Sequence, residues 1–198
     1  MIGDIIGLRL DPYLHAVYRK LFGNRGNPNL LTLLGFFATL AASALILMDL
    51  WIATGIAIIL SGLFDIFDGA VARQLGKVTT FGGFLDSVLD RYSDLLFLFA
   101  LLLYYLRQEE SGRVILVSVA SIGTALVPYT RARAEAAGVS CNVGLLERAE
   151  RIVLIAAGAL FHQMELVIWV LAIFSHITVL QRITHVRKVL YTQAPGKE

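Results

Sequence analysis

Six long apolar runs constrain this chain more than any other feature. They lie at residues 30–48, 51–64, 84–106, 114–127, 152–161 and 166–180. With their less apolar flanks, each predicts a helix of about 20 residues, the length that crosses a bilayer. The runs are continuous and do not alternate, which predicts helices and not the strands of a barrel. Of the 198 residues, 57% are hydrophobic and only 16% are charged, against roughly a quarter in soluble domains, so a soluble class is excluded. Six crossings leave no room for a second soluble domain. The expected fold is all-α and membrane-integral, one domain over residues 1–198 with a six-helix bundle at 28–182.

Residues 12–22 mix apolar and basic positions at helical spacing. They predict a juxtamembrane interfacial helix with Leu14, Val17, Tyr18 and Leu21 toward lipid and Arg19 and Lys20 toward headgroups. The N-terminus lacks the basic n-region, apolar core and cleavage site of a secretory signal. The single cysteine, Cys141, rules out an intramolecular disulfide and reads as a small structural residue. The four histidines are scattered, with no two at the spacing of a ligand pair.

Charge sets the orientation. All but Arg91, Arg107 and Arg113 of the 17 lysines and arginines precede the first run, follow the last, or lie between runs two and three or four and five. By the positive-inside rule, those segments and both termini face the cytoplasm. The expected location is the cell membrane.

One of those cytoplasmic segments carries the chemistry. It reads Asp65-x2-Asp68-Gly69-x2-Ala72-Arg73-x8-Gly82-x3-Asp86-x3-Asp90. Carboxylates this close to hydrocarbon are costly unless their charge is compensated. Asp65 and Asp68 are three apart and Asp86 and Asp90 four apart, so each pair shares a helix face. Two such faces opposed gather four carboxylates, and oxygen ligands suit Mg²⁺, Mn²⁺ or Ca²⁺. Arg73 and Arg91 as plain counterions are the alternative, but two arginines cannot balance these aspartates together with Asp94. Asp94, one turn beyond Asp90, reads as a structural partner for Arg91 or another nearby cation. Gly69 and Gly82 allow close approach to backbone, and the planar fork of Arg73 suits phosphate.

The eight positions resemble the signature of the CDP-alcohol phosphotransferase family, with every signature residue present. The resemblance covers nearly the whole chain. It implies a six-helix membrane enzyme, usually a homodimer, that transfers a substituted phosphate from a CDP-linked donor to an alcohol and releases CMP. It implies two metal ions, Mg²⁺ or Mn²⁺. Asp65 and Asp86 would bridge both, Asp68 would bind one, and Asp90 would bind the other and act as general base. Gly69, Arg73 and Thr79 would contact the CDP moiety, and Pro28-Asn29-Leu30-Leu31-Thr32 is similar to the family's nucleotide-proximal start. Such chemistry rests on positioning and charge stabilisation, with a carboxylate to take the acceptor's proton.

A second cluster is basic: Arg131, Arg133, Arg148, Arg151 and Arg182. Arginines at the edge of apolar spans either flank the membrane as ordinary positive-inside charge or serve an anionic ligand. The stretches 132–138, 143–151 and 178–182 resemble the actinobacterial phosphatidylinositol phosphate synthase branch. That resemblance implies CDP-diacylglycerol as donor, inositol 1-phosphate as phosphorylated polyol acceptor, and Arg131, Arg151 and Arg182 on the acceptor's phosphate. Arg131 stands where the branch carries lysine. Archaeal members using an archaeol lipid share much of this pattern. Glycerol 3-phosphate as acceptor, giving phosphatidylglycerol phosphate, is the main rival. An ion-coupled transporter is the rival from another class, and it predicts carboxylates spread along a pathway instead of clustered at one side. Membrane lipids are expected partners, and nucleic acid is not.

Overall fold

The computed structural model describes residues 28–74, 76 and 78–193, so the interfacial helix expected at 12–22 lies outside the described residues. Six α-helices and no strand occur among them: α1 Pro28–Leu47, α2 Trp51–Gln74, α3 Thr80–Arg107, α4 Ser111–Ala136, α5 Arg148–Leu160 and α6 Met164–Gln193. Pro28 opens α1, where its fixed φ fits and its missing N–H costs nothing. Thr79 caps α3 by accepting from Gly82 N at 3.0 Å.

Four of the six helices are long and apolar enough to cross a bilayer: Pro28–Leu47, Trp51–Arg73, Ser111–Ala136 and Met164–Thr192. Helix α3 is long enough at 28 residues, but Asp86, Asp90 and Arg91 load its first half with charge and Asp94 follows at its middle. Helix α5 corrects the expectation of six helices of similar length. Its 13 residues span about 20 Å, short of the roughly 30 Å hydrocarbon core. The reason lies in the segment before it. Leu145 N and Leu146 N both donate to Thr178 Oγ1 at 3.3 Å, and Arg182 Nε donates to Val143 O at 2.9 Å. These bonds to α6 tie down the non-helical backbone that leads into α5. The same segment buries Cys141 completely, as a small packed residue.

Each helix packs against two others, in the closed order α1, α2, α5, α6, α4, α3 and back to α1. The tight turns α1–α2, α3–α4 and α5–α6 lie together at one end. Each places a non-glycine residue in the left-handed region: Asp49 (φ 61°), Glu109 (φ 58°) and His162 (φ 53°). The closing bonds Leu50 N to Leu45 O, Glu110 N to Tyr105 O and Gln163 N to Gly158 O satisfy the last carbonyls of the preceding helices. Asp49 accepts from Trp51 Nε1 (2.6 Å) and Tyr104 OH (2.9 Å), and Arg113 joins Glu110 and Glu165 at 2.7 Å each.

The hydrophobic core sits at this same end. Ile46, Ile58, Leu98, Leu101, Val117, Ile155, Ile168 and Leu171 converge there from all six helices. Apolar residues that face outward, among them Phe37, Ile56, Phe99, Ile122 and Trp169, suit contact with lipid tails. The opposite end of the ring is where the polar residues gather.

Candidate active site

Asp65 and Asp68 leave α2 one turn apart, and Asp86 reaches them from α3. One oxygen of each lies within 4.8 Å of the others. Oxygens on one ion at 2.0–2.6 Å lie up to about 4–5 Å apart, so this spacing fits a single hard cation. Thr32 Oγ1, from the first turns of α1, donates to Asp68 Oδ2 at 2.6 Å. Asp86 Oδ1 is buried with no hydrogen-bond partner. A buried carboxylate oxygen without a donor, beside two further carboxylates, is costly unless a cation sits against it. The donor set, oxygen only, fits Mg²⁺ or Mn²⁺.

Asp90 stands outside this trio. Its Oδ1 accepts from Arg148 Nη2 at 2.8 Å, while Arg148 Nη1 lies 2.5 Å from Asp65 Oδ2. The structure therefore brings three of the four signature aspartates together and ties the fourth to them through a guanidinium. Four residues on, Asp94 Oδ2 pairs with Arg151 Nη2 at 2.5 Å, with side chains 8% and 2% exposed. Asp94 thus has a cation partner as expected, and it is Arg151. Arg148 was not singled out as a site residue. The available signal was spacing: Arg148 and Arg151 are three apart on α5, matching Asp90 and Asp94, four apart on α3. Two small cavities border these pairs. One of ≈ 10 Å³ is lined by Thr32, Ser61, Asp65, Asp90, Ser93 and Arg148 among others. A second of ≈ 30 Å³ includes Thr39, Ser61, Ser93, Asp94 and Arg148.

The residues expected on the nucleotide side lie on α1, on α2 and at the start of α3. A side chain at Gly69 would put its Cβ 3.1 Å from Arg73 Nη1, so glycine lets that guanidinium lie against the helix. A Cβ at Gly82 would stand 2.9 Å from Thr79 Oγ1 and 3.2 Å from Asn29 Oδ1. The start of α1 and the start of α3 therefore meet at Gly82. Within the 28–32 segment, Leu31 is buried against Val71, and Leu30 faces outward.

The three expected acceptor-side arginines differ in surroundings. Arg131 is exposed and pairs with Glu135 at 2.9 Å. Arg151 is buried, and its Nη1 donates to Leu146 O at 3.4 Å. Arg182, 2% exposed, donates to Val143 O and to Val127 O, with Glu147 Oε1 3.8 Å away. Arg151 and Arg182 thus share the 143–147 backbone. Arg148 Nε and Arg151 Nε are buried donors with no acceptor, and Gln181 Oε1 is a buried acceptor with no donor.

The profile of the CDP-alcohol phosphatidyltransferase family matches residues 26–181. An archaetidylinositol phosphate synthase of Pyrococcus horikoshii is 40% identical over 164 residues, covering 82% of this chain and 85% of that one. Two crystal structures of a Mycobacterium tuberculosis phosphatidylinositol phosphate synthase share this fold. One, with CDP-DAG bound, has a TM-score of 0.77 at 29% identity and covers 94% of each chain. The other, in complex with manganese and citrate, has a TM-score of 0.80 at 30% identity and covers 92% of this chain and 90% of that one.

Proposed function

The chain belongs to the CDP-alcohol phosphatidyltransferase family and is a membrane transferase of phospholipid synthesis, and from that premise we propose that it transfers a phosphatidyl group from CDP-diacylglycerol to inositol 1-phosphate. The hydroxyl oxygen of the acceptor bonds to the phosphatidyl phosphorus, the bond from that phosphorus to the CMP oxygen breaks, and the hydroxyl proton passes to Asp90. The products are phosphatidylinositol phosphate and CMP. The observation that carries this reading is the Asp65, Asp68 and Asp86 trio, with an unpartnered Asp86 oxygen and Thr32 beside it, in a chain 40% identical to an inositol phosphate lipid synthase.

Two Mg²⁺ or Mn²⁺ ions, held by Asp65, Asp68, Asp86 and Asp90, would neutralise the pyrophosphate and the departing CMP. The chain's own residues do the rest. Gly69, Arg73, Thr79 and the Pro28–Thr32 segment hold the CDP moiety. Arg131, Arg151 and Arg182 hold the acceptor's phosphate, and the partnerless Arg151 Nε supports that role. In this proposal the chain passes through the membrane six times, with the 13-residue α5 covering only part of the hydrocarbon core and the non-helical 141–147 segment leading into it. The arginine distribution puts the site on the cytoplasmic face of the cell membrane. A homodimer follows from the family resemblance.

A second reading keeps the acceptor and changes the donor to a CDP-linked archaeol lipid, favoured by the similarity to the archaeal synthase. Purified protein with Mg²⁺ decides both. CMP release is measured with CDP-diacylglycerol or CDP-archaeol, against inositol 1-phosphate, glycerol 3-phosphate, free inositol and serine. Release with CDP-diacylglycerol and inositol 1-phosphate is expected. Preference for glycerol 3-phosphate overturns the acceptor, and no release with any acceptor overturns the reading.

A further inference from the structure

Arg148 touches two signature aspartates at once. Its guanidinium bridges Asp65 and Asp90 at 2.5 and 2.8 Å, and Asp65 belongs at the same time to the three-carboxylate cluster. Its surroundings are those of a group that can let go. It stands at the first residue of α5, directly after a non-helical segment. It lines both cavities, and its Nε has no acceptor. The neighbouring Arg151–Asp94 pair is deeper, at 2% and 8% exposed against 20% and 14% for Arg148 and Asp90.

Charge then dictates an order. Four aspartates carry four negative charges, and Arg148 and one divalent ion leave a single one uncompensated. A second divalent ion meets a site already close to neutral, with a guanidinium on two of its ligands. We propose that Arg148 is a tethered cation that competes with the second divalent ion for Asp65 and Asp90, so that the carboxylate centre loads in sequence. The ion at Asp65, Asp68 and Asp86 enters first, and the ion at Asp90 enters only as Arg148 is displaced. Arg148 thereby keeps the half-filled site compact and within one charge of neutral, and makes the second ion's affinity the controlled quantity. This rests on the two-ion reading above.

The test is Mn²⁺ binding to purified full-length protein in detergent, without substrate, followed by the electron paramagnetic resonance of free Mn²⁺. Wild type is expected to bind one ion tightly and one weakly. Arg148→Gln should tighten the weak ion roughly tenfold, the factor that about 1.4 kcal/mol produces, and change the tight ion less. Arg148→Lys, which keeps the charge but cannot bridge two carboxylates, should fall between them, and it decides the matter if the glutamine variant does not fold. Two binding constants unchanged in both variants overturn the inference alone, as does a weaker second ion. No Mn²⁺ on wild type overturns the two-ion reading and the inference with it.

Discussion

Removing one member of the Arg151–Asp94 pair is the sharpest test of how this bundle tolerates charge. The two groups meet at 2.5 Å and are 2% and 8% exposed, so solvent screens them little. Asp94→Asn leaves a buried guanidinium with Leu146 O as its only other acceptor. Breaking such a pair costs about 3–5 kcal/mol, chiefly as the penalty of the stranded charge. At about 2–4 °C per kcal/mol for a chain of this size, the melting point should fall roughly 6–20 °C. Tryptophan fluorescence of detergent-solubilised protein reads this through Trp51 and Trp169. The double replacement Asp94→Leu with Arg151→Met removes both charges and should recover most of the loss, because an apolar pair of similar volume carries no desolvation cost. An Asp94→Asn protein melting with wild type would refute the argument that the pair neutralises the bundle. The double variant also separates two roles of Arg151. If that arginine holds the acceptor's phosphate, the KM for inositol 1-phosphate stays raised roughly tenfold or more after stability is regained, the loss of a charged hydrogen bond worth about 1.5–3 kcal/mol. A wild-type KM in a recovered double variant would reduce Arg151 to a counterion.

Asp90→Asn should lower kcat by about 10²–10⁴, the range of general-base catalysis, while CDP-lipid binding measured by calorimetry is largely kept. Chelation with EDTA should abolish CMP release, and added Mg²⁺ or Mn²⁺ should restore it in wild type but not in Asp86→Asn, which lacks the ligand whose oxygen has no protein donor. Gly82→Ala forces a methyl to 2.9 Å from Thr79 Oγ1 and 3.2 Å from Asn29 Oδ1. It should cost about 1 kcal/mol of capping and raise the KM for the CDP-lipid in steady-state assays. Glu109→Gly relieves a left-handed residue at φ 58° and should raise the melting point by about 2–4 °C, for roughly 1 kcal/mol.

Much of the architecture was legible without coordinates because it depends on local properties. Apolar runs placed the helices, and the breaks at Asp49, Glu109 and His162 fell where the structure turns. Spacing of three put Asp65 and Asp68 on one face, and Asp86 joined them as expected. The short α5 was not legible. The chain before it was expected as a loose connection; it was not expected that Thr178 and Arg182, 32–39 residues away on α6, tie residues 143–146 down right up to the start of α5. Thr32 as the donor to Asp68 was foreshadowed only by its place in the Pro28–Thr32 segment.

The sequence by itself determined an α-helical membrane enzyme with a carboxylate centre near one end of its helices, since run length and i,i+3 spacing are written along the chain. Tertiary structure decided the partners. Arg148 went to Asp65 and Asp90 instead of standing with the acceptor-side arginines, and Arg151 went to Asp94 across 57 residues of chain. Which cation neutralises which buried carboxylate depends on how the helices close into a ring. Long guanidinium arms on α5 reach α3 although the two helices do not pack directly. A buried charge left without its partner costs several kcal/mol, so packing geometry, and not spacing along the chain, decides which cation meets which carboxylate.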